Sequence, residues 1–154
     1  MNILSHKARI EAGFVKNFLK SLTFTGAAGL GAVGNCVLFT VTGAIHLVSI
    51  DAVCKTTVTV DGGTGAASLS LGIVNSTVLF IAATTANTIT STDKHWQSAT
   101  PTANGIAQAA AQKDIDISQN IVAAVTSSGT QIVNGGVIDF RVIWFPISSD
   151  GNLV

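Results

Sequence analysis

The amino-acid sequence predicts an all-β protein: an antiparallel, jelly-roll-like β-sandwich preceded by a basic amphipathic N-terminal arm or helix. Three observations predict this fold class. Short runs of alternating apolar and polar residues recur from residue 36 onward. Glycine, asparagine and serine turns separate these runs at spacings of about 8–12 residues, and threonine, valine and serine are frequent within them. At 154 residues the chain fits one domain with a complete core.

The N-terminal segment differs from the rest of the chain in charge. Residues 1–22 carry Lys7, Arg9, Lys16 and Lys20 against Glu11, a net charge of +3, which leaves −3 on the remainder of the neutral chain. On a helical wheel the apolar side chains of this segment fall on one half and most polar ones on the other. An amphipathic helix and an extended arm both fit this pattern.

Residues 23–35, TFTGAAGLGAVGN, are small and glycine-rich and lack helical periodicity, which predicts a flexible connection. We therefore divide the chain into an arm with its linker, residues 1–35, and a β-sandwich body, residues 36–154. Gly29, Gly31 and Gly34 match the spacing of a dinucleotide-binding loop, but no strand precedes them and no helix follows, so a phosphate site is not expected.

Alternation and turn signals divide the body into strands. In residues 45–60, one side of the strand is predicted to carry His46, Val48, Ile50, Ala52, Cys54, Val58 and Val60. DGGTG, residues 61–65, predicts a hairpin turn into a half-buried strand at 67–73, and 127–129, 134–136 and 148–151 predict further turns. Residues 104–112 fit a short helical turn or a crossing loop. The other predicted strands are 36–43, 77–83, 87–91, 113–118, 120–126 and 137–145.

The last predicted strand has an unusual second face. Alternate residues from Ile138 to Trp144 form a core face, whereas the opposite face begins polar, with Arg141, and turns apolar at Ile143 and Phe145. Either another part of the chain or another subunit must cover these two side chains. We hypothesise a subunit contact.

Composition supports contact with neighbours. Charged residues make up only 10% of the chain, against about a quarter in ordinary soluble domains, so the surface is poorly protected against association. No stretch approaches the ~18 uninterrupted apolar residues of a membrane-spanning helix. The slightly acidic body with few aromatic residues does not predict nucleic-acid binding.

Residues with catalytic or metal-binding chemistry are few. His95 is the one histidine in a predicted loop of the body, and no G-x-S-x-G motif accompanies it, so we expect it to cap its loop while Trp96 fills the end of the sandwich. Cys36 and Cys54 lack the paired spacing of a zinc site and are predicted to be core thiols. We therefore predict no enzyme, no cofactor and no metal. Asp114 and Asp116 alternate with isoleucines, which puts both carboxylates on one solvent-facing strand face.

Two stretches of the body have a recognisable order of residue types: KHWQSATPTANG and ISQNIVAAVTSSGTQIVNGGVIDFRVIWFPISSDG. Residues 36–151 resemble small β-sandwich virion proteins of tailed bacteriophages, in which a Trp-containing loop, an Asn-Ile strand and a terminal strand ending in an aromatic residue, Pro and a small polar tail recur. The resemblance implies a capsid decoration, or cement, protein on the outer capsid surface. Such proteins are usually trimeric and strengthen contacts between major capsid subunits.

The predicted partners are further copies of this chain, as a trimer, and the major capsid protein, with neither nucleic acid nor membrane. A tail, fibre or receptor-binding module is the alternative, followed by a membrane-surface protein that uses residues 3–22. The predicted partner-binding residues are the apolar and basic residues of the arm and the second face of the last strand: Ile10, Phe14, Lys16, Phe18, Lys20, Leu22, Arg141, Ile143 and Phe145.

Overall fold

The structure, a computed structural model, describes residues 15–91, 94–96, 102–103 and 114–154. It confirms the predicted antiparallel β-sandwich. Within the described ranges the one helical element is a 3₁₀ turn at Ala86–Thr88. The strands are β1 (Lys16–Thr23), β2 (Gly34–Phe39), β3 (Val41–Thr42), β4 (Ile45–Val60), β5 (Ala67–Ile73), β6 (Ser76–Thr85), β7 (Lys94–His95), β8 (Thr102–Ala103), β9 (Ile115–Ile117), β10 (Ile121–Ser127), β11 (Val133–Pro146) and β12 (Asn152–Leu153).

Two larger sheets enclose the core. The six-stranded sheet has the order β1-β11-β4-β7-β8, with β9 also paired to β4, and the four-stranded sheet has the order β2-β10-β5-β6. A small sheet of β12 and β3 completes the body. Trp96 is fully buried in this core, where its ring packs edge-on against Phe140 and its indole Nε1 donates a hydrogen bond to the hydroxyl of Thr84 at 3.0 Å. The prediction that Trp96 fills the sandwich is confirmed, whereas the prediction that His95 caps a loop is wrong, because His95 lies in β7 and pairs with β4.

Strand β1 corrects the helical alternative for the arm. It pairs antiparallel with β11 along its whole length, from Lys16 opposite Trp144 to Thr23 opposite Val137. Residues 16–22 are therefore extended, and their side chains alternate between the two faces of the sheet instead of following a helical period. Residues 1–14 lie outside the described part of the chain.

The glycine-rich segment after β1 is a tight turn. The Thr25 and Gly26 amides donate to the carbonyl of Leu30, and Gly31, at φ +123°, lies so close to β11 that an added Cβ would be 1.9 Å from the Val133 oxygen. These glycines permit close backbone approach, so the segment forms a hydrogen-bonded turn against β11. The proposed division at residue 35 coincides with no break in the described structure, because β1 lies in the same sheet as β4 and β11.

A β-bulge in β4 reverses the predicted direction of His46. Ile143 lies opposite Ser49, and the next β11 residue, Trp144, lies opposite Leu47, so Val48 is one extra residue in β4. Beyond the bulge the alternation changes phase. Ile50, Ala52 and Cys54 share one side of β4, as predicted, and are buried in the core, whereas His46 lies on the outer face of the six-stranded sheet.

Three local predictions are also wrong. Residues 61–65 connect β4 in one sheet to β5 in the other, so they do not close a hairpin. Residues 87–91 contain part of the 3₁₀ turn and no strand. Residues 134–136 lie within β11, where the pairing with β4 shifts register and Gly136 adopts a φ of 108°. The glycines there accommodate irregular pairing inside a strand instead of ending it. Residues 104–112 lie outside the described ranges.

Candidate functional site

The predicted partner-binding residues separate into exposed and buried groups. Lys16, Phe18 and Lys20 lie on β1, and Phe18 retains 41% of its exposure. Arg141 is exposed on the outer face of β11. Ile143 is half-buried on the same face, between Asn17 and Ser49. Ile10 and Phe14 lie outside the described residues.

Leu22 and Phe145 are both buried, with 4% of each residue exposed: Leu22 lies in the core and Phe145 lies on the outer face of the six-stranded sheet. Leu22 completes the core beneath β1, and Phe145 is covered by the ring of His46. The hypothesis that another subunit covers Phe145 is therefore wrong, because a strand of the same chain supplies the cover. Neither residue offers a surface to a partner.

The most exposed apolar surface of the six-stranded sheet is its edge strand β1. Leu19 is 62% exposed on the outer face, and Phe18 packs its ring edge-on against Phe39 of β2, with centroids 5.9 Å apart. The ammonium group of Lys16 lies 4.9 Å from the ring centroid of Trp144, a cation–π contact. Among the described strands only β11 pairs with β1, so its second edge presents unpaired backbone groups together with apolar and basic side chains.

Next to this edge, a polar network crosses the outer face of the six-stranded sheet. The Asp51 carboxylate accepts from Arg141 at 3.2 Å and contacts Nδ1 of His95 at 3.0 Å. The side chains of Asp51 and His95 are only 17% and 13% exposed, so the pair is largely shielded from solvent. A shallow depression of about 250 Å³ opens here, lined by Leu19, Asp51, Val53, Lys55, His95, Asp139 and Arg141.

The charged and polar side chains that line this depression form an ionic network. A His–Asp pair can orient an imidazole as a general base, which requires a nucleophile within hydrogen-bond reach. The residues lining the depression include no serine, threonine or cysteine among those described. On the same face, the hydroxyl of Ser21 donates to the carboxylate of Asp139. These contacts connect β1, β11, β4 and β7 across the sheet.

A second cluster on this face is centred on His46. Its Nδ1 and Nε2 atoms each lie 2.5 Å from a carboxylate oxygen, of Asp116 and Asp114 respectively, and its ring stacks on Phe145 at 4.6 Å between centroids. Burial lowers the pKa of His46, but the hydrogen bonds and charges of the two carboxylates outweigh it, so the pKa is raised. The ring of His46 thereby connects β9 and the residue preceding it to β4.

Charge is segregated between the two sheets. The four strands β2, β5, β6 and β10 contain no Asp, Glu, Lys, Arg or His. The Asp, Lys, Arg and His side chains of the larger strands are found on β1, β4 and β11. One side of the sandwich is therefore polar and ionic, and the other is built from neutral side chains.

The sequence alone gave Asp51 and Leu19 no role. Asp51 becomes recognisable only through the register that puts it opposite Arg141, and Leu19 only once β1 is known to be an edge strand. Asp114 and Asp116 were predicted on one exposed strand face, and both are more than 60% exposed, at 68% and 65%. Cys36 and Cys54 are buried free thiols, as predicted, and burial raises the pKa of each.

Within the described ranges, no three His, Cys, Asp or Glu side chains converge in a way that could hold a metal ion. No helix in this part of the chain is long and apolar enough to cross a bilayer. Comparison with protein-family models, with curated proteins and with solved structures gave no match to this chain.

Proposed function

We propose that this chain is a non-enzymatic structural protein of a virion, a capsid decoration protein that binds the outer shell and stabilises contacts between major capsid subunits. The observation that supports the proposal best is the exposed edge strand β1, on which Phe18 and Leu19 are accompanied by Lys16 and Lys20. An exposed apolar edge strand can pair with a strand of another chain, and soluble monomers usually protect such edges.

The charge distribution supports an assembly role. A surface with few charges, one neutral sheet and one basic edge can adhere to several neighbours at once. The two lysines of β1 favour an acidic partner surface, and such attraction weakens as salt screens it. In an oligomer, several weak contacts of this kind add to a high apparent affinity, so the attachment needs no catalytic chemistry.

The test is to locate the chain on particles purified from the source of the sequence. An antibody against the chain is expected to label the whole shell regularly, and quantitative mass spectrometry is expected to give many copies per particle. High salt should release it more readily than low salt does. Labelling confined to a tail or fibre would support the alternative of a tail, fibre or receptor-binding module. Absence from particles would reject both.

A charge variant tests the contact itself. The double substitution Lys16→Gln with Lys20→Gln should weaken rebinding to stripped particles and reduce its salt dependence, because it removes the positive charge of β1. Lys55→Gln removes one cation from the outer face of the same sheet and serves as the control. If the double variant and the control rebind equally well, the lysines of β1 do not contribute to shell binding.

A further inference from the structure

We propose that β1 pairs with β1 of a second copy of this chain, antiparallel and centred on Leu19, so that the two six-stranded sheets become one continuous sheet. The inference rests on the proposed assembly role and names the partner of this edge. Three observations carry it: the direction of the backbone groups of β1, the arrangement of its side chains and its exposure.

The backbone of β1 fixes which residues face outward. The Phe24 amide donates to the Gly136 carbonyl at 3.0 Å, and these two residues lie opposite one another in the β1–β11 register. In an antiparallel pair, hydrogen-bonded positions alternate along the strand, so the even-numbered residues of β1 bond to β11. The N–H and C=O groups of Asn17, Leu19 and Ser21 therefore point to the second edge, with which no described strand pairs.

The side chains of β1 select one register. With Leu19 opposite Leu19 of the second copy, Phe18 lies opposite Lys20, Asn17 opposite Ser21, and Lys16 opposite Leu22. Phe18 and Lys20 can form a cation–π pair on each side of the two-fold axis, and Asn17 and Ser21 are both hydrogen-bonding residues. Leu19 meets its own copy at the axis, where its exposed apolar surface is removed from water.

The neighbouring registers are unfavourable because they oppose like charges. A register centred on Phe18 sets Lys16 opposite Lys20 of the second copy, twice. A register centred on Lys20 sets the two Lys20 side chains directly opposite each other, and like charges in that position destabilise a strand pair. Registers centred nearer either end of β1 pair fewer of its residues. The Leu19-centred register pairs residues 16–22 without opposed lysines.

This contact is isologous, so it makes a closed two-fold pair and even-numbered assemblies. The trimer that the sequence resemblance implies would require a different, head-to-tail contact at this edge. The solution mass of the full chain should therefore be that of a dimer, or of a larger even-numbered assembly, by light scattering. A monomer or a trimer would overturn the proposed pairing.

Single engineered cysteines test the register directly. Leu19→Cys puts two thiols at directly opposed positions, about 5.5 Å apart between Cα atoms, within disulfide range. Under mild oxidation it should form a cross-linked dimer in high yield. Asn17→Cys alone should not cross-link, because its counterpart is displaced by four residues, about 13 Å along the strand. A mixture of Asn17→Cys and Ser21→Cys chains should cross-link again.

The native thiols provide a clean background. Cys36 and Cys54 are buried, and burial raises the pKa of each, so the unsubstituted chain should not cross-link. If Leu19→Cys fails to cross-link while remaining folded, or Asn17→Cys alone cross-links as readily, the Leu19-centred pairing is wrong. Neither result bears on shell labelling, which tests the decoration role. A dimer that never labels shells would refute that role and leave the pairing intact.

Discussion

The imidazole of His46 lies nearly flat on the ring of Phe145, with centroids 4.6 Å apart and planes inclined by 17°. This contact explains how the outer face of the last long strand can turn apolar within one chain. The bulge at Val48 directs His46 outward, and Asp114 and Asp116 hold its ring in place. A polar residue with an apolar ring face thus covers an aromatic residue that would otherwise be exposed.

Removing this cover should destabilise the protein. His46→Ala exposes the ring of Phe145 and leaves the carboxylates of Asp114 and Asp116 without their shared cation. We expect a loss of about 1–2 kcal/mol in the free energy of unfolding, because the two carboxylates are largely exposed and their charge effects are screened. Urea denaturation measures it. Val78→Ala, at a position 54% exposed, is the control and should change stability little. Equal stability of both variants would mean that the stack contributes nothing.

The contribution of His46 should depend on pH in a defined direction. Its folded-state pKa is raised, so the stabilisation from its protonated form is fully present below the ordinary value of about 6.5 and is lost as the pH rises through the raised pKa. His46→Phe keeps an aromatic ring on Phe145 but cannot titrate. The stability advantage of the natural chain over His46→Phe should therefore be larger at about pH 6 than at about pH 9. If the stability advantage of the natural chain over His46→Phe grew with pH, the raised pKa of His46 would be contradicted.

Replacement by Phe at two buried tryptophans should lower the free energy of unfolding by different amounts. Trp96 donates its indole hydrogen bond to Thr84, whereas Nε1 of Trp144 is buried without a hydrogen-bond partner in the described structure. Trp96→Phe removes a buried hydrogen bond. Trp144→Phe removes a buried N–H group that makes no hydrogen bond in the described structure. Trp96→Phe should therefore be less stable than Trp144→Phe by about 1–2 kcal/mol, measured by urea unfolding. The reverse order would show that packing, not hydrogen bonding, decides at these sites.

Alanine substitutions at two glycines should differ in stability, because one glycine lies against a neighbouring backbone and the other has open space around it. A Cβ added at Gly72 would lie 2.1 Å from the Ser76 carbonyl oxygen, so Gly72→Ala must push β5 and β6 apart, at a cost of about 1–3 kcal/mol or more. Gly62 has open space around the added atom, and Gly62→Ala should be neutral or slightly stabilising because it restricts the unfolded chain. Thermal unfolding of the two variants tests this, and similar melting temperatures would contradict it.

Local alternation was sufficient to predict where β4 and β5 begin and end, although it did not predict the direction of every side chain in them. The bounds of β4 and β5 agree with the predicted 45–60 and 67–73. The direction of His46 was missed because a bulge depends on how two distant strands pair, and the sequence of β4 shows no sign of the extra residue. The helical reading of residues 16–22 failed for a related reason: seven residues fit both periods, and the partner strand β11 selects one of them.

The sequence by itself determined the all-β class, the low charge, the buried cysteines and the shared face of Asp114 and Asp116, because each follows from composition or from neighbours along the chain. Only the tertiary structure decided what surrounds Phe145, where Asp51 finds Arg141 and His95, and which edge of the sandwich is left unpaired among the described strands. Those relationships join residues far apart in sequence, and strand register and bulges set them through long-range packing that no local pattern encodes.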